Sequence, residues 1–111
     1  MAKALPESDW KVFRELREVA LQRFCSRIFD TLDQMRKNES GTHYERYVEL
    51  YRWLHDRNDE MDAAFSDVRR STMVLHLSTI ASLGLLERGE LERFTPETRR
   101  IVESLMQVEG D

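Results

Sequence analysis

Apolar residues in the first third of the chain recur three and four positions apart. Phe13, Leu16, Ala20, Phe24, Ile28, Leu32 and Met35 form the row, and Leu21, Cys25 and Phe29 widen it in the middle. That is the period of an α-helix turning one face to a core. Pro6-Glu7-Ser8 predicts the start, with Ser8 as N-cap and Asp9 in the first turn, and "NESG" at 38–41 predicts the stop. A helix over 9–37 is about 43 Å long at ~1.5 Å per residue. A compact domain of this size has a radius of gyration near ~13 Å. The helix must therefore bend or overhang its own core.

Thr42-His43-Tyr44-Glu45 has the spacing of a capping box and predicts a second helix over 43–57. Tyr44, Tyr47, Val48, Tyr51 and Leu54 share one of its faces, with Leu50 and Trp53 beside them. Asp59 predicts the cap of a third helix over 60–83. That helix is apolar on most sides from Met73 to Leu83, and so should be the most buried. Gly84 is placed to end it in the left-handed conformation. Leu91 and Phe94 predict a short helix over 88–93. Thr95-Pro96-Glu97 predicts the start of a last helix over 96–108, with Ile101, Val102, Leu105, Met106 and Val108 on its apolar side. The expectation is an all-α fold, a small bundle of four main helices plus one short one, forming a single domain over 1–111.

Composition agrees with this pattern. Four glycines and two prolines in 111 residues are too little punctuation for a β-sandwich. No apolar run is long enough to span a membrane, and "MAKALPESDW" lacks the apolar core of a secretory signal. Cys25 stands alone, which excludes an internal disulfide and a cysteine-based zinc site. A cytoplasmic protein is expected. Net charge is −4, and the middle of the chain is the acidic part, with three Arg against seven acids over 41–68.

"RRSTMVLHLSTIASLGLLER", from Arg69 to Arg88, resembles the recognition helix and wing approach of winged-helix regulators of the multiple-antibiotic-resistance type. Ser71-Thr72, His76-Leu77, Ile80 and Gly84-Leu85-Leu86 fall in register, and Phe94-Thr95-Pro96-Glu97-Thr98-Arg99 is similar to the family's approach to its dimerisation helix. The resemblance covers about 30 residues. It implies a DNA-binding transcription regulator with Arg69, Arg70 and Arg88 as DNA contacts. Three features oppose it. The reader positions Met73, Val74, Leu75, Ser78 and Thr79 carry no long polar side chain for base edges. The segment from Leu85 to Phe94 is short for a two-stranded wing. No basic cluster is available to displace counterions.

Other constellations carry less. "DRNDEMDAAFSD" from Asp56 to Asp67 has EF-hand-like acids, but Met61 stands where such a loop needs glycine. His43, His55 and His76 lack metal-ligand spacing, and His76 reads as a hydrogen-bonded core histidine. No nucleophile elbow or phosphate-cradling loop is present. The leading expectation is a non-enzymatic protein–protein interaction domain that forms a homodimer and can present a helix face to a further protein partner. It needs no cofactor, metal, membrane or nucleic acid. Trp10, Phe13, Tyr44, Tyr47, Tyr51 and Trp53 are its candidate interface residues, since amphipathic aromatics are enriched at interfaces. A small-molecule-binding helical bundle with Tyr47, Tyr51 and His76 around a pocket is the remaining alternative.

Overall fold

The structure, a computed structural model, describes the backbone of residues 5–110 and the side chains of 5–107; residues 1–4 and 111, and the side chains of Val108 and Glu109, lie outside it. Four α-helices follow in order: α1 Glu7–Lys37, α2 His43–Phe65, α3 Met73–Ser82 and α4 Pro96–Gly110. Single 3-10 turns precede α3 (Arg70–Thr72) and α4 (Leu91–Arg93). Among the described residues there is no strand. The fold is all-α.

Several boundaries follow from local chemistry. Thr42 Oγ1 accepts from Glu45 N while Glu45 Oε1 accepts from Thr42 N, both at 3.1 Å, so two otherwise orphaned donors at the α2 N-terminus are satisfied. α3 ends in a Schellman motif: Gly84 N donates to Ala81 O at 3.0 Å and Leu85 N to Ile80 O at 3.2 Å, with Gly84 at φ 71°. α4 starts at Pro96, whose missing N–H costs nothing there.

Three boundaries differ from expectation. Ser8 is not the cap; Asp9 N already donates to Pro6 O at 3.0 Å, and the helix starts two residues sooner, at Glu7. The expected helix at 88–93 is reduced to the turn Leu91–Arg93. The break expected at Arg57–Asp59 lies eight residues later, at Ser66–Arg69. Arg57 pairs with Glu60 at 2.9 Å and carries the helix across Asn58-Asp59. The chain turns where Asp67 adopts φ 54°. Met61, Ala64 and Phe65 thus belong to α2, and the third helix is only ten residues long.

The core gathers Phe13, Leu16, Ala20 and Phe24 of α1, Ala64 and Phe65 of α2, Met73, Leu77 and Ile80 of α3, Leu85, Phe94, and Val102 of α4. α3 lies in the middle, against all three other helices. Arginines of α1 close the ends of its neighbours. Arg17 Nη2 donates to Phe65 O at 2.7 Å, at the end of α2. Arg27 donates to Leu83 O at 3.1 Å and Gly84 O at 2.5 Å, and Arg23 to Leu85 O at 2.9 Å. Arg23 also forms a two-pronged pair with Glu90 at 2.6 and 3.0 Å. These contacts anchor α2 and α3 to the N-terminal two-thirds of α1.

The rest of α1 continues past the core. α1 is unbroken for 31 residues, and the molecule measures 55 × 25 × 24 Å with a radius of gyration of 16.8 Å. A compact chain of this length would have about 13 Å. The excess is a helical hairpin: the end of α1 and the first half of α2 project as an arm, closed by the turn at 38–42. Arg46 Nη2 reaches Arg36 O at 2.9 Å and ties the two helices near the tip.

Candidate interaction surface

From Cys25 to Ala63 not one residue is fully buried. Two helices lying side by side can cover only the facing stripe of each. That stripe on α2 is Arg46, Leu50, Trp53 and Arg57, all half-buried, against Ile28, Leu32 and Met35 of α1. Arg57 lies 5.8 Å over the Trp53 ring and lends its stem to the contact.

The tyrosines face elsewhere. Tyr44 is 74% exposed, Tyr47 63%, Tyr51 62% and Leu54 40%, and on α1 Phe29 is 65% exposed. Helical register puts these on one side. Phe29 follows the core residue Ala20 by nine residues, and Tyr51 precedes by nine Glu60, which lines the cleft beside Leu83 and Leu85. Nine residues are about two and a half turns, so both point away from α3. The arm therefore carries an aromatic face, turned from the core, with His55 stacked on Tyr51 at 6.2 Å.

Not all expected interface residues take part. Phe13 is fully buried and cannot anchor a partner. Trp10 is half-buried, stacked on Phe13 at 5.8 Å and covered by the Arg70 guanidinium at 5.7 Å. Trp53 is half-buried between the arm helices. Tyr44, Tyr47 and Tyr51 remain, joined by Phe29 and Leu54. Phe29 was hidden in the sequence because it continues a row whose nearby members are buried or half-buried.

The recognition-helix positions lie in the body of the protein. Met73, Leu77, Ser78 and Ile80 are buried, Val74 is half-buried, and Leu75 is the exposed apolar side chain of α3. Arg70 pairs with Glu7 at 2.8 Å and Arg69 with Asp67 at 3.2 Å, so both charges are already engaged, while Arg88 is exposed in the loop after α3. Between Gly84 and Thr95 the chain forms turns, not strands.

The residues expected around a pocket are not brought together. His76 Nδ1 lies 3.0 Å from Ala64 O. Ala64 is 17 residues from Tyr47 along α2, about 25 Å at ~1.5 Å per residue, so Tyr47 and His76 do not converge. The cleft beside Trp53 holds about 190 Å³, below the ~300 Å³ of ordinary ligand sites. A larger, open groove of about 570 Å³ runs between Leu32, Met35, His43, Arg46 and Leu50 near the tip. The segment from Asp56 is helical to Phe65 rather than a calcium loop. No group of three or more metal-ligating side chains converges among the described residues. Nor is any described helix long and apolar enough to cross a membrane.

Asp9 is the buried carboxylate among the described residues, and its chemistry is structural. Oδ1 accepts from Thr95 N at 2.9 Å, and Oδ2 from Thr95 Oγ1 at 2.7 Å and Thr98 Oγ1 at 2.6 Å. It caps α4 from another helix. Burial pushes its carboxyl up, but the hydrogen bonds from Thr98 and Thr95 outweigh burial and hold it below the ordinary value.

Comparison with protein-family models, curated proteins and solved structures finds no match to this chain.

Proposed function

We propose that this chain is a non-enzymatic protein–protein interaction module that works as a homodimer, with the α1–α2 arm as its contact. The observation that carries this reading is the run from Cys25 to Ala63 without a buried residue, together with the exposed Phe29, Tyr44, Tyr47, Tyr51 and Leu54 on one side. Monomeric proteins rarely leave a contiguous apolar patch of several hundred Å² in water. Helices without a core to pack on gain little from propensity alone. A second arm supplies the missing core, and two-fold dimers are the commonest assembly. A cytoplasmic setting suits the lone, half-buried Cys25 thiol.

Sedimentation at micromolar concentration tests the reading. The expected result is a dimer that becomes a monomer in the Tyr47→Glu/Tyr51→Glu variant, whose thermal unfolding still reports an intact α3 core. A wild-type chain that sediments as a monomer across the micromolar range overturns it.

A further inference from the structure

We infer that the partner on this face is a second copy in antiparallel orientation, arms overlapping tip to base about a two-fold axis near Glu49. This rests on the dimer reading above and adds its geometry. The seam is palindromic: Tyr44, Tyr47, Tyr51 and Leu54 are spaced three, four and three. Reversed about Glu49, that pattern maps on itself, with Tyr44 opposite Leu54 and Tyr47 opposite Tyr51. A two-fold contact must be self-complementary in this way. Three-four spacing is also what lets side chains of one helix seat between those of another.

Charge selects the direction. The base half of α2 holds Asp56, Asp59, Glu60 and Asp62 against a single Arg57. The tip, residues 33–46, balances Arg36, Lys37 and Arg46 against Asp33, Glu39 and Glu45. A parallel pair sets acidic base against acidic base and crowds the two α3–α4 bodies at one end. The antiparallel pair sets each acidic base beside the other copy's charge-balanced tip, and separates the bodies. The like-charge juxtaposition of two acidic bases suppresses the parallel pairing.

The area is sufficient. Four aromatics that are 62–74% exposed offer ~130 Å² each from ~200 Å² side chains. Two copies then bury ~1,000 Å² before Leu54 and the flanks contribute, which reaches the threshold of a specific contact. The product is a four-helix bundle built from two arms, with the aromatic seam at its centre.

Pulsed electron–electron distance measurement on spin-labelled protein tests the geometry. In a Cys25→Ser background, one sample carries the label at Ser40→Cys on the tip and another at Ser66→Cys at the base. Antiparallel arms about Glu49 place the tip labels about 25–30 Å apart and the base labels about 50 Å apart, from ~1.5 Å per residue along α2. Short and similar separations at both sites, about 10–20 Å as for side-by-side helices, overturn the antiparallel geometry while leaving the dimer. No dipolar signal at either site, with a monomer in sedimentation, removes the dimer itself.

Discussion

Asp9 shows how much one side chain can carry in a chain with a small core. Its two oxygens hold the start of α4 to the start of α1 through Thr95 and Thr98. Hydrogen bonds to a charged group contribute ~1.5–3 kcal/mol, and their loss here also strands the buried Thr98 hydroxyl. Asp9→Ala should therefore lower stability by about 3 kcal/mol in urea melts at pH 7, a large share for a domain of this size. The dependence on pH has a definite sign. The folded-state value is depressed, so the contribution is fully present above the unfolded value of ~3.9 and is lost as pH falls through the lower folded value. Glu90 acts in the same direction, because its hydrogen bond from Arg23 outweighs burial. Wild-type stability should fall below about pH 4, and the gap to Asp9→Ala should narrow there. Equal gaps at pH 7 and pH 3 would contradict this account.

At the scale of the element, the end of α3 concentrates several contacts on Gly84. Its φ of 71° suits glycine, and a Cβ there meets only Arg27 Nη1, at 3.6 Å. Space is not the obstacle; conformation is. Gly84→Ala should cost about 1–2 kcal/mol, the penalty of a left-handed L-residue, measured as a lower melting temperature with unchanged helix content. A neutral melt would mean that the Schellman turn can relax. This turn was legible in the sequence, as were the Thr42–Glu45 box and the Thr95-Pro96 start, because each is set by chemistry within four residues. The break between α2 and α3 was not. Asn58-Asp59 has the composition of a cap, yet the Arg57–Glu60 pair and the burial of Ala64 and Phe65 against α1 extend the helix past it. Ser66-Asp67 ends it instead, with no glycine or proline to announce the turn. On α2, arginine stems and a tryptophan fill the inner stripe, and the tyrosines at helical spacing beside it stay exposed. The candidate surface was thus half legible: Tyr44, Tyr47 and Tyr51 were identified, Phe13 belongs to the core, and Phe29 appeared only once α1 was seen to outrun it.

Across the whole molecule, the length of α1 divides the chain into two thermodynamic regimes. In the body, α3 is enclosed by α1, α2 and α4, and its amides should exchange with solvent only through global unfolding. In the arm, hydrogen bonds lie on helices with no buried side chain beneath them, and opening there exposes little apolar surface. Deuterium uptake should therefore be fast in 30–55 of a dilute sample and slow in 73–82. Raising the concentration should slow the first segment and leave the second unchanged, since a binding partner stabilises only what it touches. Uniform uptake, indifferent to concentration, would count against this division. The consequence reaches the secondary structure itself. The arm's helices become subject to mass action, so the fraction of chain that is helical at any moment records how many copies are nearby.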